Sequence, residues 1–389
     1  MGRRIAIEGS HAISEAVKQA RVDVIAAYPI TPQTHIVERL SEMVADGELD
    51  AEFVPVESEH SAMSVCIGAE AAGARAFTCT SGPGLALMAE IVFIASSMRL
   101  PILMVLANRT LSAPLSIWND HSDAMLVRDC GWIQMFVNSA QEAYDHVFIG
   151  YRVGEDSRVL LPVMLHMDGF FLTHAIEPLE PVKQELIDGF LPPYEPLYRL
   201  HPDNPVTMGA FALPDQYAEI KKAQDEALKA SYGPLLEAWK AWGELTGRHY
   251  GPVEGLYLED AEVVLLTAGS YGEVAHIAVE EMRAKGRPVG LVKLRLWRPF
   301  PYDELRKALE GKEAVVVIDR SVCPGGPGGP MALEVRSALY GRRGPRVVDF
   351  IVGISGRDVT PEDYIRMIER VPELAQRGPE DYVFYGVKE

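Results

Sequence analysis

The chain has 389 residues, 48% of them hydrophobic and 24% charged, with a formal net charge of −18. That length exceeds what one core usually serves, so two domains are expected, and so acidic a surface excludes a nucleic-acid partner, whose phosphates need a basic face. No apolar run reaches the ~20 residues of a membrane span, and the start MGRRIAIEGSHA has no signal-peptide core, so the expectation is a cytoplasmic protein that binds no membrane. Cys66, Cys79, Cys130 and Cys323 are scattered without a CxxC pair or any zinc or iron–sulfur spacing.

In chain order, Val22–Tyr28 and Glu52–Val56 read as buried strands, followed by a small-residue helix over Ser61–Ala72. Arg75–Thr80 is a strand, Leu85–Met98 a helix, Ile102–Ala107 a strand, Ala140–Glu155 a helix and Leu160–Met167 a strand. Continuous apolar strands alternating with helices predict a parallel sheet covered on both faces. After Glu177 the segments PLEPVKQ and FLPPYEPLYRLHPDNP predict a Pro-rich arm, and Asp215–Thr246 a long helical region bent at Gly233-Pro234. The strand–helix rhythm resumes with strands Glu262–Thr267, Val289–Lys293, Ala314–Asp319 and Arg346–Val352, and helices Gly272–Lys285, Tyr302–Leu309 and Met331–Tyr340.

Tyr28-Pro29-Ile30-Thr31-Pro32 sits at the carboxyl end of a strand, where open α/β sheets bind ligands. It is either a ligand loop or a plain turn with Thr31 or Thr34 as a helix cap. Glu57, Glu59 and His60 precede a helix, so a carboxylate there either caps it or faces a ligand nitrogen. Ser81-Gly82-Pro83-Gly84 is a turn that could cradle an anion or a ring. Arg109 follows the strand Ile102–Ala107 and suits a substrate carboxylate or a structural ion pair. Asp120, His121 and Asp123 lack a fourth metal ligand, so hydrogen bonding is the better reading, and His166 and His174 read as packed or hydrogen-bonded. The loop DRSVCPGGPGGPM is a phosphate cradle or, better, an interface loop, since no Lys-Ser/Thr follows it. Four candidate segments at strand carboxyl ends of one domain point to an active-site edge.

In order and spacing, YPITP, VESEHSAM, SGPGLALM, ANRTLSAP and IWNDHSDA resemble the α subunit of pyruvate and 2-oxoisovalerate:ferredoxin oxidoreductases, and RLWRPFP, DRSVCPGGPGGP and GISGRDVT resemble the second domain of that family. The resemblance implies two α/β domains with mostly parallel sheets. A thiamine pyrimidine-binding-type domain with its arm and helical extension would span 1–255, and a transketolase C-terminal-like domain 256–389. It implies oxidative decarboxylation of a 2-oxoacid, with pyruvate first, to acyl-CoA and CO2 with reduction of ferredoxin. Thiamine diphosphate would be shared with a β subunit that supplies the Mg2+–diphosphate site and a [4Fe-4S] cluster. A γ subunit and a ferredoxin-like δ subunit with further clusters would complete the complex, and no metal is expected on this chain.

By the same resemblance Glu59 matches the carboxylate that hydrogen-bonds the pyrimidine, Thr31 the hydroxyl at the substrate and Arg109 the arginine on the 2-oxoacid carboxylate. Pro29 and Ile30 would shape the substrate pocket, and Tyr28 and Pro29 the cofactor side. The chain carries no GDG motif with a downstream Asn and no four-cysteine cluster motif, which implies that it is inactive alone. Alternatives are a branched-chain, aryl or other 2-oxoacid enzyme, a non-catalytic scaffold that keeps the fold, and a self-sufficient transketolase-like enzyme, which the missing Mg2+ motif disfavours.

Overall fold

The structure, a computed structural model, describes residues 3–374, 376–378 and 382–388. Its larger sheet has seven strands in the order Leu296–Arg298, Ile133–Phe136, Val163–Asp168, Leu103–Asn108, Ala76–Thr80, Val24–Ala27 and Glu52–Pro55. All neighbours are parallel except Leu296–Arg298, which runs antiparallel to Ile133–Phe136. The central strands are buried along their whole length because helices cover both faces. Gly9–Gln19, Thr34–Ala45 and Ala140–Gly154 pack one face, and Glu59–Ala72 and Gly82–Ser97 the other.

The second sheet has six strands in the order Tyr382–Phe384, Arg346–Ile351, Ala314–Asp319, Val263–Thr267, Val289–Leu294 and Val253–Leu256, parallel but for the last. Val253–Leu256 lies on the expected boundary at 255/256 and is already an edge strand of this sheet. Leu296–Arg298 returns from the second half of the chain to extend the first sheet. One apolar cluster joins Met104, Trp132 and Phe136 to Val292, Trp297 and Val317, so the two halves share a core. A two-stranded antiparallel ribbon, Ile5–Glu8 with Ile176–Leu179, stands apart from both sheets.

The helical region predicted over Asp215–Thr246 is two helices, Pro214–Ala230 and Tyr232–Thr246, that part at Ser231 rather than at Gly233-Pro234. Pro234 lies in the first turn of the second helix, where the missing N–H has no intrahelical partner to lose. The small-residue helix starts at Glu59 rather than Ser61, because the Ser58 hydroxyl accepts from Ser61 N at 3.2 Å and caps it. The arm that follows Phe190 exposes Leu197, Tyr198 and Phe211, and Leu200 N donates to Ala71 O, pinning it to the end of that helix.

Candidate active site

Parallel strands deliver the loops after Val24–Ala27, Ala76–Thr80 and Leu103–Asn108 to one edge. A Cβ on Gly82 would lie 2.7 Å from Arg109 O, so the two turns touch through their backbones. A Cβ on Gly84 would lie 2.4 Å from Thr80 Oγ1 and 2.6 Å from Glu59 Oε1. The missing side chain at Gly84 is therefore what lets the Glu59 carboxylate pack on the turn. Because Ser58 does the capping, Glu59 is not the cap; it is 6% exposed, and among the described residues nothing hydrogen-bonds its carboxylate. The Thr80 and Ser81 hydroxyls of the adjoining turn are also buried without partners among the described residues.

Arg109 is 7% exposed and reaches the neighbouring loop: its Nε donates to Ser116 O at 2.9 Å and its Nη1 to Thr31 O at 3.1 Å. No carboxylate pairs with its guanidinium among the described residues, so the ion-pair alternative is not what holds it, and burial lowers its pKa with no anion to offset the effect. Thr31 and Pro29 are exposed, Tyr28 is about one third exposed and Ile30 is half-buried, so this loop lines an open edge rather than a closed cavity. Gln33 anchors the loop, donating from Nε2 to Tyr28 O at 2.7 Å and to Cys79 O at 3.3 Å.

Asp123 joins the turns. One carboxylate oxygen accepts from Gly82 N at 3.1 Å and Arg109 N at 2.8 Å, the other from Asn108 Nδ2 at 3.0 Å and Ala124 N at 2.8 Å. Burial pushes its carboxyl up to about 7 while these donors pull it back. In the sequence Asp123 reads as a hydrogen-bonding residue near the site, and nothing there marks its hub position. Gln33 and Asn108 had no distinguishing signal at all.

Asp120 and His121 serve the joint between the two halves. His121 Nε2 lies 3.0 Å from Asp168 Oδ1, which also takes Arg320 Nη1 at 2.5 Å, while Asp168 Oδ2 accepts from Ser270 N at 2.7 Å. Against the cost of burial, Arg320 and His121 hold the Asp168 carboxyl well below the usual carboxylate range. The Arg320 guanidinium stacks 3.8 Å from the centre of the Tyr271 ring, and Asp120 Oδ2 accepts from Ser355 N at 3.3 Å. His166 is a core residue, as its sequence context suggested, with burial lowering its pKa to about 3.

The glycine–proline loop is not an open phosphate cradle. Its amides turn inward: Gly329 N donates to Asp349 Oδ2 at 2.8 Å, and Met331 N and Ala332 N donate to Asp319 at 2.9 and 2.8 Å. A Cβ on Gly328, at φ +122°, would lie 2.2 Å from Asp349 Oδ2. Burial and mutual repulsion raise Asp319 well above the usual range, and burial pushes Asp349 up to about 6.

A profile of the pyruvate flavodoxin/ferredoxin oxidoreductase thiamine-diphosphate-binding domain matches residues 15–233, and one of the pyruvate:ferredoxin oxidoreductase core domain II matches 261–364. A solved 2-oxoglutarate:ferredoxin oxidoreductase from Magnetococcus marinus superposes with TM-score 0.71 at 20% identity, over 96% of this chain and 66% of that one. A split-gene transketolase superposes with TM-score 0.56 at 15% identity, over 96% and 100%. The architecture is thus that of thiamine-diphosphate-binding-type α/β domains. Pyruvate synthase subunit PorA of Methanothermobacter thermautotrophicus is 45% identical over 98% of both chains, and that of Thermotoga maritima 46% over 94% of both. Ketoisovalerate oxidoreductase subunit VorA of Pyrococcus horikoshii is 43% identical over 96% of this chain and 95% of its own. The chain belongs to the pyruvate:ferredoxin oxidoreductase family as an α subunit, one part of a 2-oxoacid:ferredoxin oxidoreductase.

Proposed function

We propose that this chain supplies the pyrimidine side of a shared thiamine diphosphate site in a complex that converts pyruvate and CoA to acetyl-CoA and CO2 and reduces ferredoxin. The observation that carries the reading is that, among the described residues, the Glu59 carboxylate is buried without a hydrogen bond against Gly84, on the same edge as an Arg109 without a counter-ion. A buried carboxyl without a hydrogen bond and a buried guanidinium without a counter-ion, among the described residues, are costly in a scaffold, which speaks against a non-catalytic role. Relatives named for pyruvate favour that substrate, and the relative named for ketoisovalerate keeps the branched-chain reading second.

The orphaned hydroxyls of Thr80 and Ser81, the Gly84 approach and the free carboxylate fit the aminopyrimidine end of the cofactor. When bound, thiamine diphosphate supplies a nucleophilic carbon for the ketone and a sink for the electrons left by decarboxylation. Glu59 holds a hydrogen bond and proton at a pyrimidine ring nitrogen, and Tyr28 and Pro29 border that ring. Arg109 grips the 2-oxoacid carboxylate, the Thr31 hydroxyl donates to the substrate, and Ile30 and Pro29 close its apolar side. Arg109 is preset for this task by its bonds to Ser116 O and Thr31 O.

The reading takes residues 1–255 and 256–389 as its two domains; the two separate sheets support that division, from which the strands Val253–Leu256 and Leu296–Arg298 depart. The reading assigns the Mg2+–diphosphate site and a [4Fe-4S] cluster to a β subunit and further clusters to a ferredoxin-like δ subunit, with a γ subunit completing a cytoplasmic complex. Among the described residues no helix is long and apolar enough to cross a membrane. The test is to purify the complex and screen pyruvate, 2-oxoisovalerate, aryl pyruvates and 2-oxoglutarate with CoA and ferredoxin or viologen. The highest kcat/KM should fall on pyruvate; turnover by this chain alone, or no 2-oxoacid-dependent reduction by a thiamine-loaded complex, refutes the reading.

A further inference from the structure

Three segments far apart in the chain bring metal-binding atoms together beside the Thr31 loop. Glu8 ends the ribbon strand Ile5–Glu8, His35 is in the first turn of Thr34–Ala45, and His174 lies in the turn after Val163–Asp168. One ligand atom from each lies within 4.8 Å of the others. His35 Nδ1 is 2.6 Å from Glu8 Oε1, and the His35 and His174 rings are 4.4 Å apart.

A hydrogen-bonded Glu–His pair accounts for Glu8 and His35 but not for a second imidazole held against the first. Protonating both rings would set like charges side by side. The Thr173 hydroxyl lies 2.7 Å from His174 Nδ1 and accepts from Phe170 N at 2.8 Å. With two lone pairs it can also accept from Nδ1–H, which orients the ring and leaves Nε2 as the ligand atom.

We propose that Glu8, His35 and His174 form a binding site for a borderline divalent cation, Zn2+ before Mg2+ or Ca2+. Two imidazoles and one carboxylate make a donor set suited to Zn2+, whereas the harder cations prefer oxygen alone. Bonds of about 2.0–2.2 Å require the Glu8–His35 contact to open to roughly 3.3 Å as the metal replaces the shared proton. The side chains are 20% exposed at Glu8 and 40% at His35, so an ion can enter and water can fill the remaining position. Bound there, the ion ties the ribbon strand Ile5–Glu8 and the turn that carries His174 to the helix that directly follows the Tyr28–Gln33 loop. A Cβ on Gly169 would lie 2.5 Å from Pro32 Cγ, which shows how closely those segments already pack.

This site is independent of the proposed reaction and departs from the expectation that the chain binds no metal. The full-length chain, stripped with a chelator, is titrated with ZnCl2 by calorimetry and with CoCl2 by visible absorption. We expect one equivalent of Zn2+ at micromolar or lower free metal, and Co2+ d–d bands from nitrogen and oxygen ligands. His35→Ala and His174→Ala should each weaken Zn2+ at least tenfold and abolish the Co2+ bands, while His201→Ala, at a histidine of the arm after Phe190 that faces Asp203, changes neither. If an alanine variant loses its circular-dichroism signal, His35→Gln and Glu8→Gln take its place. The proposal is overturned by no stoichiometric Zn2+ at micromolar free metal, or by folded site variants that bind like wild type.

Discussion

Arg109→Lys separates a substrate clamp from a structural residue. The guanidinium spends Nε on Ser116 O at 2.9 Å and Nη1 on Thr31 O at 3.1 Å and still has Nη2 to offer. Lysine keeps the charge but brings one nitrogen and no fork, so it cannot hold both loops and grip a carboxylate with parallel bonds. Hydrogen bonds of charged donors are worth about 1.5–3 kcal/mol each, so losing one or two at the substrate should lower kcat/KM by about 10- to 10⁴-fold. Thr31→Val should cost less, roughly two- to tenfold, since a neutral hydroxyl bond is worth about 0.5–1.5 kcal/mol. It also leaves the Arg109 contact intact, because that bond goes to the Thr31 carbonyl. Since Arg109 positions Thr31, the double variant should lose less than the sum of the two. The assay is steady-state kinetics on the reconstituted complex with thiamine content measured alongside. Unchanged kcat/KM in Arg109→Lys, or an emptied cofactor site, would refute the clamp.

Glu59→Gln should slow hydrogen–deuterium exchange at the thiazolium carbon by about 10²–10⁴ while cofactor content stays near wild type; an unchanged rate would reduce Glu59 to a helix-terminus carboxylate. Gly84→Ala would place a methyl 2.4 Å from Thr80 Oγ1 and 2.6 Å from Glu59 Oε1. It should lower stability by about 1–3 kcal/mol and displace the carboxylate, and a variant with wild-type Tm and thiamine content would contradict the packing. Asp319 and Asp349 both hold protons more tightly folded than unfolded, Asp349 up to about 6. The native chain therefore binds more protons across that window, and stability falls as pH rises from about 4 through the folded values. In Asp349→Asn the side-chain oxygen can keep the Gly329 N–H and the amide can donate to Asp319. Urea midpoints should show it more stable than wild type by on the order of 1–3 kcal/mol at pH 8 and level with it at pH 5; parallel pH profiles would rule out the burial and repulsion of the two carboxylates as the cause.

Much of this protein followed from local pattern. Apolar runs such as Ala76–Thr80 and Leu103–Asn108 can lie only between two helical layers, and in a parallel sheet their carboxyl ends carry the ligand loops. The segments around Thr31, Glu59, Gly82 and Arg109 were thereby placed on one edge from the sequence alone. What each side chain does there was not settled by pattern. That Ser58 rather than Glu59 caps the helix, and that Arg109 lies against carbonyls rather than a carboxylate, is visible only in the tertiary structure. Ile133–Phe136 escaped notice because a buried Gln134 interrupts its apolar run, and Leu296–Arg298 because its partner lies in the other half of the chain. The Asp123 hub, the Asp168–Arg320 joint and the meeting of Glu8 with His35 and His174 are likewise tertiary decisions. Hydrophobic periodicity is written over a few turns of chain, but a buried polar group is satisfied by whichever distant segment the fold brings within hydrogen-bond reach, and its own neighbours in sequence carry no record of that choice.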